Sequence, residues 1–390
     1  VICYDKRSDI IDSLKKKKIP FYEKGTEINL RKKFTQFKFT NNLDDLLICD
    51  IVFISQDVPT DSKGKSNLSP INKSIKSTIK SINKNCNLVV LCQVPPGFTR
   101  SINWHKKKLY YQVETLIFAN ALERALFPER IIVGKENNKI DKKYFYYLKK
   151  FKSPILEMNY ESAELAKISI NIFLISSVTS TNLLSEVSEN IGANWVDISN
   201  ALKLDKRIGK HAYLKPGLGI SGGNLERDLE TFKNFLKFKK IYVNYSKNIK
   251  QISNYRKDWI YNKFEKIVKD FKNIKKIGIL GLAYKENTNS IKNSPSIAFI
   301  KKILFNKKLE IEAYDPKIKK LSKNININIC KSVDSLIRNC DILVIATPWK
   351  IFKNINLNKF KNIKVVIDPY NLVNLHKNKN EKIQHIGMGN

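Results

Sequence analysis

YLKPGLGISGGNLERD, from Tyr213 to Asp228, is a glycine-rich loop that runs into an amphipathic helix beginning LERDLETFKNFL. Gly217, Gly219, Gly222 and Gly223 have no Cβ, so the loop is expected to leave backbone N–H groups uncovered for a ligand rich in phosphate or hydroxyl oxygen. Asn224 stands where loop becomes helix, and asparagine is among the preferred N-caps. Its amide nitrogen carries no usable lone pair, so it cannot attack an aldehyde as a thiolate does.

On the N-terminal side of this loop, residues 160–192 carry a long helical pattern, with Leu165, Ile168, Ile172, Ile175 and Val178 on one stripe and Gly192 as its stop. Helices continue to about residue 272. Both flanks then change character. VICYD, DIVFIS and NLVVLC precede the helical region; KKIGILGLAY, LEIEAYDP, DILVIATP and VVIDPY follow it. Short continuous apolar runs separated by helices indicate parallel sheets covered on both faces. The fold class is α/β, with two Rossmann-like doubly wound sheets joined by a long central helix and a helical middle domain. The boundaries fall at residues 1–152, 153–272 and 273–390.

The 390 residues contain 71 Lys and Arg against 36 Asp and Glu, a formal net charge of +35. Lysines are spread through every segment together with Asn and Ile, so the charge reads as chain-wide compositional drift and nucleic acid is not the expected partner. An anionic ligand would still be attracted. No run of about 18 uncharged apolar residues occurs, so no membrane association is expected. Cys3, Cys49, Cys86, Cys92, Cys330 and Cys340 include no Cys-x-x-Cys pair, and the four histidines form no ligand cluster. A reduced, cytoplasmic setting without metal follows.

Asp5 ends the first strand, where an acid of a dinucleotide-binding sheet meets the adenosine ribose. The Gly-x-Gly-x-x-Gly turn that should precede it is found nowhere in the chain. We read the chain as beginning at the second strand of its sheet, with the opening strand and phosphate turn upstream of Val1. The alternative is a domain that holds the pyrophosphate in another way.

Several segments, in order, resemble the UDP-glucose and GDP-mannose dehydrogenase family: VFISQDVPT (Val52–Thr60), VPPGFT (Val94–Thr99), PERIIVG (Pro128–Gly134), AELAKISIN (Ala163–Asn171), the glycine loop and GLAYKENTNSIKNSPS (Gly281–Ser296). The family's loop ends Gly-Gly-Ser-Cys-Phe-Pro-Lys-Asp. Gly222 and Asp228 match it, Gly223 takes the serine position, and Asn224 takes that of the nucleophilic cysteine.

The resemblance implies NAD as cofactor, a nucleotide sugar as substrate, a homodimer built on the central helix and a role in polysaccharide precursor synthesis. It implies catalytic roles for Lys167 and Asn171, which polarise the reacting oxygen and orient water, for Asp228 as the acid, and for Glu114, which matches a glutamate whose companion falls on Phe118. Asp5, Pro59, Thr60, Gln93 and Lys292 fall at cofactor positions; Arg207, Gly219, Gly222, Gly223 and Lys285 at substrate positions. Arg207 matches an arginine that reaches a neighbouring subunit's site. Gln93, Lys292 and Tyr370 depart from the family's threonine and arginines.

The family's four-electron oxidation passes through a thiohemiacetal and a thioester on the cysteine. With Asn224 there, three outcomes remain: oxidation by two electrons, direct oxidation of a hydrated aldehyde, or binding without chemistry by a partner subunit or regulator. Cys92 is weighed as a substitute and reads as a packed strand-end residue.

Overall fold

In the computed structural model, residues 1–20, 23, 25–61, 64–117, 120–242, 244–271, 273–305, 309–322, 324–338, 340–357, 360, 362–373 and 383–389 are described. Phe118 lies outside them. The chain divides into two compact units, Val1–Asn171 and Ile172–Asn390.

The first unit runs β1 (Ile2–Tyr4), α1 (Ser8–Lys15), α2 (Thr26–Lys32), β2 (Lys38–Thr40), β3 (Ile51–Ile54), α3 (Ser69–Ser81), β4 (Asn87–Val90), β5 (Leu109–Gln112), α4 (Ala121–Leu126), β6 (Ile131–Lys135), α5 (Lys142–Lys149), β7 (Ile155–Asn159) and the start of α6 (Tyr160–Ile191). β1 and β2 pair in parallel as a sheet of their own, and the larger sheet has the order β3-β4-β5-β6-β7. β3, β4 and β5 are parallel, but β6 runs antiparallel to β5 and carries β7 parallel to itself. The expected all-parallel sheet therefore reverses once. The β5–β6 connection contains only the six-residue α4, whereas a parallel return normally needs a crossover helix lying across the sheet.

Alternation along β4 explains why this sheet is covered twice. Leu88 and Val90 enter a core with Ile71 and Ile75 of α3 and Ala163 of α6. Val89 faces the other way, into a core with Tyr144 and Leu148 of α5. Gly134 of the PERIIVG strand lets α6 lie against the sheet: a Cβ there would come within 2.8 Å of the Ala163 methyl and 3.1 Å of the Tyr160 Cα.

The second unit continues α6 and adds α7 (Trp195–Leu204), α8 (Asn224–Phe238), α9 (Asn244–Lys257), α10 (Trp259–Asp270), β8 (Lys276–Leu280), α11 (Pro295–Ile303), β9 (Glu310–Tyr314), β10 (Asn328–Ile329), α12 (Val333–Ile337), β11 (Ile342–Ile345), β12 (Val365–Asp368) and β13 (Gln384–Gly387). Its six-stranded sheet has the order β10-β9-β8-β11-β12-β13, parallel throughout. This is the doubly wound order, with the topological switch between β8 and β11. Ile342, Leu343, Val344 and Ile345 are all 0% exposed, as a central strand covered on both faces requires.

The buried stripe of α6 is largely polar. Glu164, Asn171, Asn182, Ser185 and Ser188 accompany Ile168 and Ile175 at exposures of 8% or less, whereas Leu165 is 39% exposed. Leu165 sits on the flank of the stripe and not at its centre. Part of α6 reaches a mean hydropathy of 1.3, and by length and composition it is the one described helix that could cross a membrane. Several of its buried polar groups are answered inside the protein: Thr179 Oγ1 donates to the Ile175 carbonyl, and Asn182 Oδ1 accepts the Gly217 N–H at 2.8 Å, whereas Ser185 Oγ is left without a hydrogen-bond partner among the described residues. That is the pattern of a helix packed among protein neighbours.

An ionic cluster ties α6 to α9 and to the end of the chain. Arg256, 1% exposed at its side chain, lies 3.3 Å from Glu186 and 3.5 Å from Glu189. Glu189 also accepts the Gly389 N–H at 2.9 Å, and the Gly389 carbonyl accepts from the Trp195 N–H at 3.1 Å. Removing either partner of a buried pair strands the other charge.

Gly134→Ala should destabilise the protein by about 1–3 kcal/mol, because the added methyl overpacks the α6–sheet contact. Urea unfolding measures it, and Ala163→Gly in the same chain should restore part of the loss.

Candidate functional site

In the first unit, the candidate residues gather where parallel strands end. Asp5 follows β1, Pro59 and Thr60 lie beyond β3, Gln93 beyond β4 and Glu114 beyond β5. Ligands of open α/β sheets bind at these carboxyl ends. Asp5 is held by Arg7, whose backbone N–H, Nε and Nη2 donate to its two oxygens at 2.9–3.1 Å. Those hydrogen bonds from Arg7 keep its carboxyl below the usual carboxylate range. Thr60 bridges to Ser66, and the Pro59 carbonyl accepts from Asn67 at 2.8 Å, so the VPT turn closes on itself.

Lys167 and Asn171 project from one side of α6, as residues four apart do; Asn171 is 8% exposed. Glu114 stands at the surface, yet the protein around its carboxyl raises it from the ordinary value, while the charge of Lys167 acts in the opposite direction. The structure thus brings the Glu114 and Lys167 charges within each other's influence. Glu164, which sequence reading passed over, is 0% exposed and accepts the Gly97 and Thr99 N–H groups at 2.6 and 2.7 Å. Burial raises its carboxyl and those donors lower it. A polar residue on a helix's buried stripe was the available signal.

These residues fit a nicotinamide dinucleotide. Asp5 offers carboxylate oxygens at a strand end, and Gly97, at φ +92°, has open space where a Cβ would stand. In the second sheet the turn after its first strand is closed. A Cβ on Gly281, just past β8, would come 2.4 Å from Thr347, and Asp315 takes the Leu282 and Ala283 N–H groups at 2.8 and 3.1 Å. The Leu282 and Ala283 N–H groups of that turn are thus taken within the protein.

In the second unit the glycine loop is packed more tightly than the sequence suggested. The Gly217 N–H goes to Asn182, and the Ile220 N–H to Ser253 Oγ at 2.8 Å. Gly219 (φ +71°) and Gly222 (φ +82°) leave no room for side chains: a Cβ would meet the Ser253 carbonyl at 2.4 Å and the Tyr284 ring at 2.8 Å. Close approach of neighbouring segments, with left-handed backbone, thus accounts for glycine at these two positions. A Cβ on Gly223 would lie 3.2 Å from Lys292, and Asn293 Nδ2 donates to the Gly222 carbonyl at 2.9 Å. Lys285 Nζ lies 5.8 Å from the centre of the Tyr284 ring. The structure therefore gathers Gly222, Gly223, Lys285 and Lys292, with Tyr284 and Asn293, on one side of the loop. Arg207 stands at the surface past α7, its side chain 88% exposed and paired with Asp205 at 2.6 Å.

Asn224 is the first residue of α8 and not its cap. Gly223 occupies the cap position with φ −101° and ψ −30°, and no side chain caps the helix. A capping side chain needs extended backbone beneath it, and Asn224 is already helical. Its Oδ1 instead accepts from Arg227 Nη2 at 3.2 Å. Since a guanidinium only donates, the amide nitrogen of Asn224 faces away from Arg227. Arg227 Nε also lies 3.8 Å from Asp228 Oδ1, and Asp228 is 0% exposed.

Cys92, weighed as a substitute nucleophile, is packed at its strand end. Cys92 is 3% exposed, its Sγ donates to the Ile54 carbonyl at 3.2 Å, and burial pushes its thiol up to about 12. Burial likewise raises Cys3, Cys49, Cys86, Cys330 and Cys340. Native protein treated with iodoacetamide at neutral pH should leave Cys92 unmodified on peptide mapping until it is unfolded; rapid native labelling there would overturn this assignment.

Three family descriptions match the chain in order: the NAD binding domain of the UDP-glucose/GDP-mannose dehydrogenase family over residues 1–151, its central domain over 161–255 and its UDP binding domain over 278–375. A UDP-glucose 6-dehydrogenase of Rickettsia conorii is 29% identical over 406 residues, covering 99% of this chain and 92% of the relative. The UDP-glucose 6-dehydrogenase TuaD of Bacillus subtilis is 27% identical over 400 residues, covering 97% and 85%. Among solved structures, a UDP-glucose dehydrogenase from Pyrobaculum islandicum superposes with a TM-score of 0.84 at 22% identity, covering 99% of this chain and 91% of that one. A UDP-D-ManNAc dehydrogenase from Pyrococcus horikoshii gives 0.84 at 21%, covering 100% and 93%. With an N-terminal unit matching a domain that binds NAD, a helical centre and a second parallel sheet, this chain belongs to the UDP-glucose/GDP-mannose dehydrogenase family.

Proposed function

We propose that this protein is an NAD-dependent oxidoreductase acting on a CH–OH group of a nucleotide sugar, by a route that forms no thioester. Residues 1–152 would hold the cofactor, 153–272 the sugar and 273–390 the nucleotide. The match of 278–375 to a UDP binding domain favours a UDP-sugar. The observation that carries the reading is Asn224 with its carbonyl oxygen turned to Arg227, which presents a hydrogen-bond donor where relatives keep a nucleophile.

NAD, when bound, accepts hydride from the sugar carbon. Lys167, an ammonium on α6, stabilises negative charge developing on the reacting oxygen. Asn171, one turn further on, orients water. Glu114, whose carboxyl the surrounding protein raises from its ordinary value, is placed as a proton-transfer group. Asp228 serves as the second acid, and Lys285 with the excess of cations draws in the anionic nucleotide. Without a thiol, oxidation ends at two electrons or continues on the hydrated aldehyde.

A homodimer through the central helices is part of the proposal. Phe173 (78% exposed), Val187 (52%) and Ile191 (72%) on α6, with Leu204 (85%) on α7, leave an apolar stripe in water, a feature of interaction surfaces. Six free cysteines suit the cytoplasm, and the product class suits polysaccharide precursor synthesis. The loss of the nucleophile also favours a second reading, a non-catalytic nucleotide-sugar binder acting as partner subunit or regulator.

Incubation with NAD and a panel of UDP- and GDP-sugars should yield NADH with at least one of them, and Lys167→Met should lower kcat by about 10²–10³-fold. No NADH with any sugar, together with calorimetric binding of one, would establish the binder instead. Val187→Glu should shift the protein from dimer to monomer in light scattering; an unchanged mass would exclude this interface.

A further inference from the structure

The loop from Gln93 to Thr99 leaves the carboxyl end of β4 without regular structure to support it. Pro95 and Pro96 have no N–H to give. Of residues 95 to 99, three can donate from the backbone. Phe98 donates to the Pro95 carbonyl at 3.1 Å, within the loop itself. The other two, Gly97 and Thr99, both donate to the one Glu164 carboxylate, at 2.6 and 2.7 Å, across 67 and 65 residues of sequence. Glu164 is 0% exposed. It lies three residues before Lys167 and seven before Asn171, on the same side of α6.

We propose that Glu164 is a positioning residue: its carboxylate fixes the Gln93–Thr99 loop in register with Lys167 and Asn171, and so sets the shape of the surface that receives NAD. This rests on the reading that the loop meets the cofactor. Both carboxylate oxygens are needed, because two N–H donors point at them. A glutamine offers one acceptor and turns an N–H2 toward the remaining donor, and a buried donor left unanswered displaces its segment. Gly97 is where displacement would be felt, since its left-handed backbone has open space beside it.

The test is Glu164→Gln in the full chain, read by NADH fluorescence titration, by UDP-sugar calorimetry and by amide exchange at Gly97 and Thr99. Exchange at both amides should quicken, and NADH affinity should fall by about ten- to a hundredfold. UDP-sugar affinity should fall much less than NADH affinity, because Gly219, Gly222, Gly223 and Lys285, proposed to bind it, lie in the other unit. Glu164→Asp, which keeps both acceptors, should recover NADH affinity in part. NADH affinity unchanged in Glu164→Gln despite faster exchange would overturn the proposal, reducing the pair of bonds to scaffold. Equal loss of both ligands would overturn it too, as general disruption. Wild-type protein that binds UDP-sugar but no NADH would instead overturn the cofactor reading on which the proposal stands, before any variant is compared.

Discussion

Helix α6 buries its polar side and leaves an apolar stripe in solvent, and much of the structure answers to that inversion. Polar side chains removed from water must find partners inside the protein, since an unanswered group costs about 1–3 kcal/mol. Glu164 finds the loop after β4, Asn182 and Thr181 find the entry to the glycine loop, and Glu186 and Glu189 find Arg256. One helix thereby fixes segments that have little regular structure of their own. The apolar side is left for another surface to cover.

The same need for partners changes the meaning of the glycine loop. Glycines before a helix suggest a phosphate cradle, but the packed loop also uses Gly219 and Gly222 to admit Ser253 and Tyr284 at distances no Cβ would allow, with Lys292 close beside Gly223. Beside the loop stand two cations, an aromatic ring and an amide. Lys292 and Lys285 are cations, Tyr284 is an aromatic platform whose hydroxyl burial pushes up to about 12, and Asn293 is anchored on the Gly222 carbonyl. An anionic, ring-bearing ligand suits that set.

Chemistry at position 224 is constrained from two directions. The amide nitrogen has no usable lone pair for attack on carbon, and the guanidinium beside it accepts no hydrogen bond and so takes the carbonyl end of the amide. Burial favours the neutral S–H form of Cys86, Cys92 and Cys340. Hydride transfer itself needs neither a thiolate nor a covalent intermediate, which is why the proposed oxidation involves no thioester.

Much of this was legible in the residues. Continuous apolar runs such as ILVI and VVID mark strands covered on both faces, the spacing of Lys167 and Asn171 places them on one side of a helix, and the motif order along the chain identifies the family. Those properties follow from local periodicity, which the sequence carries by itself. Tertiary structure decided the reversal of direction at β6, the demotion of Asn224 from cap to first helical residue, the filling of the space beside Gly219 and Gly222, and the partners of Glu164 and Arg256. Each of these depends on groups that packing brings together from distant parts of the chain or on the exact backbone angle at one residue, and neither leaves a repeat in the sequence.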